Sequence, residues 1–151
     1  MITRLNHAVL YVADLDRAHD FYAGVLGLEL VADEGFMRFY HAPDSDNHHD
    51  LGLMALGAGA TRPPPQSTGL YHLAWEVASI HDLAAMAQRL SDCGALNGAS
   101  DHGVSKSVYG ADPDGNELEV MWRVPAAAWG EYAERGVVLP LDLDAEIARW
   151  G

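Results

Sequence analysis

The stretch His7-Ala8-Val9-Leu10-Tyr11-Val12-Ala13-Asp14-Leu15-Asp16 returns in outline as His72-Leu73-Ala74-Trp75-Glu76-Val77-Ala78-Ser79-Ile80-His81, 65 residues further on (72 − 7 = 65). In that register Val12 falls on Val77, Ala13 on Ala78 and Leu15 on Ile80. Recurrence at one spacing marks a duplicated structural unit. Each copy reads as a strand that runs through a polar residue into a helix. Asp14 or Asp16 can start the first helix and Ser79 the second, each accepting from free backbone N–H groups. Leu15, Ala18, Phe21, Tyr22 and Val25 recur at helical spacing and Gly27 can end that run; Leu83, Met86, Ala87 and Leu90 do the same up to Gly94.

Working outward, each helix is followed by three short strand-like runs. They are Leu28–Ala32, Phe36–His41 and His49–Leu56 in the first half, and Ala95–Ala99, Ser105–Ala111 and Glu117–Trp122 in the second. Both halves therefore read β-α-β-β-β. Between them Gly57–Thr68 contains Pro63-Pro64-Pro65, which cannot join a sheet interior and suits a semi-rigid connector. Asp112-Pro113-Asp114-Gly115 is a turn signal that makes the last two strands a hairpin. The tail from Pro125 to Gly151 has no counterpart in the first half. Pro125 is expected to open a helix through Trp129 and Tyr132, and Asp144 to cap a last one ending at Trp150.

The 151 residues are one domain's worth, with 49% hydrophobic and 21% charged side chains. A formal charge of −13 would repel a nucleic-acid backbone or an anionic membrane, so neither is an expected partner. A single cysteine, Cys93, excludes an internal disulfide and a cysteine metal cluster, and is expected to be an inert, partly buried thiol. No apolar run approaches the roughly 20 residues that span a bilayer, and no secretory signal precedes Leu5. A soluble cytoplasmic protein is the expectation.

Two histidines at matching places of a repeat are harder to read as core residues than one would be. Pseudo-symmetry would aim both imidazoles, His7 and His72, at one point. Glu119 lies within the apolar Leu118–Trp122 run, where a carboxylate is costly to bury unless paired or metal-bound. Two histidines and one carboxylate leave coordination positions open, an arrangement suited to non-haem iron(II) and O₂. The constant offset puts Met54 opposite Glu119 (119 − 65 = 54), and methionine is a poor ligand for such an ion. Three protein ligands are therefore expected. His49 starts a strand, His102 falls in a Gly- and Ser-rich loop, and Tyr109 lies in the strand before the Asp-Pro-Asp-Gly turn. By composition alone these three, and His48, read as loop or packing residues.

From about Leu5 to Trp122 these residues resemble the vicinal oxygen chelate superfamily. It includes glyoxalase I, fosfomycin-resistance thiol transferases, bleomycin-binding proteins and extradiol dioxygenases. The resemblance implies an α+β fold in which paired βαβββ modules form a half-open barrel of mixed sheet in a single domain. Its metal ligands would be His7, His72 and Glu119. Within the superfamily, His49-Asp50-Leu51-Gly52-Leu53 is similar to the segment bearing the acid–base histidine of extradiol catechol dioxygenases. The stretch from Asp101-His102-Gly103-Val104-Ser105 through Tyr109 to Glu119 is similar to their closing hairpin, with a tyrosine ten residues before the glutamate (119 − 109 = 10).

This resemblance implies Fe(II), with Mn(II) or another divalent metal as the alternative, a catechol-type aromatic diol and O₂ as reactants, and a homodimer. It also implies that His49 is the acid–base, that Tyr109 hydrogen-bonds a substrate oxygen, and that His102 orients substrate or takes a phenolic proton. Relative to the larger extradiol enzymes the chain is short, and His102 stands closer to Tyr109. A glyoxalase-like isomerase would want a carboxylate where Met54 stands. A thiol transferase shares the three ligands without accounting for His49 and Tyr109. A metal-free drug-binding module would bind stoichiometrically with no turnover.

Overall fold

The computed structural model describes residues 1–64 and 66–151, which divide into two compact units, Met1–Thr68 and Gly69–Gly151. Of the proline run in the connector, Pro65 lies outside the described residues.

In the first unit β1 (Ala8–Val12) leads into α1 (Leu15–His19), which continues as a π-helical stretch, Asp20–Val25, before β2 (Glu29–Asp33), β3 (Met37–His41) and β4 (Leu51–Ala55). Asp14 is the cap, its side chain accepting from the Arg17 backbone N–H. The wider turn begins at Asp20, and Leu26 N–H closes it on the Phe21 carbonyl at 3.0 Å. The helical run thus extends to Val25 as its spacing predicts, but only its first part is α-helical. The sheet order is β1-β4-β3-β2, with β1 parallel to β4 and the other pairs antiparallel. Strand alternation sends Val12, Leu51 and Leu53 to one face, and these are buried together with Leu15, Ala18, Phe21 and Tyr22 of the helical run. The opposite face of β1 carries Val9 and Tyr11, both exposed in line with His7.

The second unit repeats the plan. It comprises β5 (His72–Val77), α2 (Ile80–Asp92), β6 (Leu96–Asp101), β7 (Ser105–Ala111) and β8 (Glu117–Arg123), with sheet order β5-β8-β7-β6. Ser79 caps α2 by accepting from Asp82 N–H, and Gly94 ends it at φ 72°. Leu118, Val120 and Trp122 of β8 and Val108 of β7 are buried on the helix side with Ile80, Leu83 and Leu90 of α2. Both units are therefore βαβββ modules built on open mixed sheets, an α+β architecture.

The repeat is not uniform. Val9 pairs with Gly52 and Ala74 pairs with Glu119, so the last strands correspond at 119 − 52 = 67 rather than 65. The residue matching Glu119 is Gly52, not Met54. The cause is uneven segment length. Phe39 corresponds to Tyr109 (109 − 39 = 70), so the second unit is longer before β7, and the longer loop of residues 42–50, against 112–116, takes back only part of that difference. Gly52 supplies no side chain at all, and a Cβ there would sit 2.7 Å from Met37 Cε and 3.3 Å from Val9 Cγ2.

Three further expectations need correction. Cys93 is exposed rather than partly buried, because it caps α2 at the surface. Pro125 opens two 3₁₀ turns, Ala126–Ala128 and Gly130–Glu134, in place of an α-helix. The last helix, α3 (Leu143–Trp150), is capped by Asp142, which accepts from Ala145 N–H; Asp144 lies in its first turn. The tail packs within the second unit, where Trp150 lies 5.7 Å from Trp122. Beneath it Lys106, a cation inside a buried strand, pairs with Asp101 at 2.6 Å and with Glu146 of α3 at 3.5 Å. Among the described residues no helix is long and apolar enough to cross a membrane.

Candidate active site

The face of the second sheet turned away from α2 is where four of the predicted residues meet. Alternation along β8 puts Glu119 opposite in direction to Leu118 and Val120, and Tyr109 is its cross-strand partner. His72, two residues before the Ala74 that pairs with Glu119, shares the same face. Its Nε2 stands 3.1 Å from Glu119 Oε2. The Tyr109 hydroxyl is 3.4 Å from Glu119 Oε1 and 2.6 Å from His102 Nε2, while His102 Nε2 itself is 3.9 Å from Oε1. The line His72–Glu119–Tyr109–His102 is thus continuous. A hydroxyl has one proton, and the shorter contact is the one it donates into when the His102 ring is neutral.

Glu119 is only 13% exposed, so its charge acts strongly on its neighbours. Tyr109 feels it: burial, then the Glu119 charge, raises the phenol above its ordinary range. His102 lies in the loop after β6, yet both of its ring nitrogens are engaged, Nδ1 by the Val137 carbonyl at 2.7 Å. An exposed loop histidine is not what the structure has there.

In the first unit His7 immediately precedes β1 rather than lying within it, and His49 sits in the loop before β4 rather than on the strand. Their rings are 4.5 Å apart, and Phe39 packs against His49 at 4.9 Å. His48 Nδ1 is 3.0 Å from His49 Nδ1, so His48 is a neighbour of this cluster and not a bystander. Burial, then repulsion from His7 and His48, lowers the His49 pKa against the pull of Asp50. Asp50 organises the loop. It accepts from Ala42 N–H at 2.9 Å, Ser45 Oγ at 2.8 Å and Asn47 Nδ2 at 2.7 Å. Burial alone would raise its carboxyl; the three hydrogen bonds outweigh it and hold the pKa below the ordinary value.

Several donors fit a divalent metal. Two ligands of one ion at about 2.0–2.2 Å lie roughly 3 Å from each other, which is the spacing of His72 Nε2 and Glu119 Oε2. His72 Nδ1 is buried without a hydrogen-bond partner, so Glu119 and packing on Tyr71, 4.8 Å away, orient this ring. His7 has the supporting contact that metal-bound imidazoles usually show: Nδ1 lies 2.9 Å from Asn6 Oδ1, which leaves Nε2 with the lone pair. Among the described residues, no three His, Cys, Asp or Glu side chains are already grouped so as to hold a metal ion. The structure joins His72, Glu119, Tyr109 and His102 in one unit, and His7 with His49 in the other.

Some participants leave little trace in the sequence. Val137 acts through its carbonyl, which no residue type announces. Asn6 and Asp50 flank the histidines but are ordinary loop residues by composition. Lys106 does leave a signal, a lone cation in the strand Ser105–Ala111 between otherwise small or apolar residues.

The duplicated βαβββ plan, with a His72–Glu119–Tyr109–His102 line on an open sheet face, defines a small α+β fold of paired modules. The chain belongs to the Glyoxalase/Bleomycin resistance protein/Dioxygenase superfamily, whose family model matches residues 4–120. It is 30% identical over 138 residues to a catechol-2,3-dioxygenase of Bacillus subtilis (strain 168), covering 91% of this chain and 47% of that protein. It therefore spans about half the length of that relative. A glutathione transferase FosA of Serratia marcescens is 30% identical over 120 residues, covering 80% of this chain and 81% of the relative. Among solved structures, a lactoylglutathione lyase of Agrobacterium tumefaciens is similar, with a TM-score of 0.59, 26% identity, and coverage of 80% of this chain and 94% of the other.

Proposed function

We propose that this chain is a ring-cleaving extradiol dioxygenase acting on a catechol-type aromatic with O₂. His7, His72 and Glu119 would hold one divalent cation, Fe(II) first and Mn(II) as the alternative, with the two modules serving one domain. The observation that carries the reading is the hydrogen-bonded pair His102–Tyr109 set against the His72–Glu119 pair. An acid–base pair beside a metal-type donor pair is what a dihydroxy aromatic needs, because a phenolic proton must leave as the oxygens are bound. The dioxygenase likeness over most of the chain supports it.

The cation would supply charge neutralisation for the diolate and a common binding point for both reactants. The remaining work falls to the chain. Tyr109 offers its hydroxyl to a substrate oxygen, and its raised pKa keeps it a donor at neutral pH. His102 accepts a phenolic proton at Nε2. His49, whose lowered pKa leaves it neutral near pH 7, can take up a proton and return it during ring opening. The ring bond next to the two hydroxyl-bearing carbons breaks, and both atoms of O₂ end in the product.

The test is metal analysis of anaerobically purified protein, then oxygen-electrode and absorbance assays on a small catechol panel. One iron or manganese per chain with O₂ uptake and a yellow product is expected. His49→Ala should keep the metal and lose turnover about 100-fold or more; an unchanged rate would remove His49 from the mechanism. The glutathione transferase likeness, which covers most of that relative, favours a second reading as a thiol transferase. Bound metal without O₂ uptake, but with glutathione consumption on an electrophilic substrate, would replace the first reading with the second. No metal after reconstitution would sink both and leave a binding module.

A further inference from the structure

The tail of the second unit grips the candidate site from behind. His102 Nδ1 lies 2.7 Å from the Val137 carbonyl oxygen. A carbonyl only accepts, so Nδ1 carries the proton. In the neutral ring the lone pair is then on Nε2, 2.6 Å from the Tyr109 hydroxyl that donates to it. Free imidazole side chains in water favour the other tautomer, with the proton on Nε2, so the form that the Val137 carbonyl requires has to be held.

We infer that the tail segment around Val137 is a positioning element that fixes His102 as the Nδ1–H tautomer, making Nε2 the acceptor towards Tyr109. That this acceptor matters for turnover rests on the dioxygenase reading; the tautomer does not. The register of Val137 is set by its neighbours. Asp101 and Leu139 exchange two backbone hydrogen bonds, 2.8 and 2.9 Å, across an isolated antiparallel bridge. On the other side of His102, Gly103 adopts φ +76° and lies so close to the Tyr132 ring that a Cβ would collide with it. Further along, the buried Lys106–Glu146 pair ties α3 to β7. The loop that carries His102 is therefore clamped by the tail before and after the histidine. A histidine held by a backbone carbonyl keeps its orientation whatever side chain stands at 137, so the device is insensitive to substitution there and sensitive to the path of the chain.

The test is two-bond ¹H–¹⁵N correlation spectroscopy of the full, metal-free chain with ¹⁵N-histidine, His102 being assigned by its loss in His102→Gln. His102 should show a protonated Nδ1 and a bare Nε2. Leu139→Pro deletes the N–H that bonds Asp101 and should move both nitrogens towards the averaged position of exchanging tautomers. Val138→Ala, at an exposed neighbouring position, should change nothing. Should Leu139→Pro fail to fold, Tyr132→Ala loosens the same segment from the Gly103 side and replaces it. In the metal-loaded enzyme the loosened variant should lose about tenfold in kcat with KM little changed, the usual scale for a supporting contact. A wild-type His102 protonated on Nε2, or a tautomer unmoved by loosening the tail, would overturn the inference. Because the spectra are read without turnover, they decide it even if no catechol proves to be a substrate.

Discussion

Replacing Lys106 by methionine should cost about 2–3 kcal/mol of stability, and the figure follows from what it leaves behind. The lysine side chain is 5% exposed and neutralises Asp101 and Glu146, which are themselves only 20% and 15% exposed. Removing one partner of a buried ion pair typically costs about 3–5 kcal/mol, because the remaining charge stays buried. Here each carboxylate keeps one donor, Gly103 N–H at 2.7 Å for Asp101 and Trp150 Nε1–H at 2.9 Å for Glu146, and each has a fringe of solvent. The cost therefore falls just below that range. Glu146→Gln should cost less, about 1 kcal/mol, since Asp101 still neutralises the lysine at 2.6 Å. Arg123→Met makes the same change in net charge at an exposed pair, 61% and 51% accessible, and should cost about 0.5 kcal/mol or less. Urea unfolding of all three in 0.15 M salt, followed by circular dichroism and by tryptophan fluorescence, gives the order directly. If Lys106→Met matched Arg123→Met, the buried pair would not be holding the tail, and the reasoning would fail.

Asp50→Asn should loosen the His49 loop and cost about 1–2 kcal/mol in urea titration at pH 6. The Asp50 pKa is lowered on folding, so its stabilisation is complete above its ordinary value of 3.8 and is lost as pH falls through the lower folded value; the variant should therefore lose part of the wild type's acid sensitivity, seen by repeating the titration near pH 3. The His49 resonance in metal-free protein should titrate below 6.5, and His7→Ala should raise its midpoint by removing one repelling charge; a fall would contradict the ring geometry. Gly103→Ala should lower stability by roughly 1–2 kcal/mol, from the left-handed backbone at φ +76° and from the Tyr132 ring that the new methyl meets, and thermal unfolding would register it.

Much of the fold could be read from the chain because its evidence is local. Helix caps at Asp14 and Ser79, the Gly94 stop and the Asp112–Gly115 turn depend on neighbouring residues, and the structure has each of them. Correspondence between the halves was harder, since it depends on loop lengths that only strand pairing reveals. A constant offset matched Glu119 to Met54, while the ladder matches it to Gly52. At the candidate site, His72 and Glu119 stood out by type and spacing, whereas Tyr109 and His102 were singled out only by the family resemblance. Contacts made by backbone groups, the Val137 carbonyl above all, carry no residue signature. The π-helical continuation of α1 was likewise hidden, because the spacing of Phe21, Tyr22 and Val25 suits either winding.

The extra length between β3 and β4 sits entirely outside the ladders that flank it, since Tyr40 still faces Leu51 as Gly110 faces Leu118. Asp50 anchors its end through Ala42, Ser45 and Asn47, whereas His48 and His49 lie outside the strand pairs beneath. One module has a tight turn at this place, while the other carries His48 and His49 on a longer loop. Exchanging the side chains at 48 and 49 is then a way to alter what this loop presents while leaving the strand pairing alone.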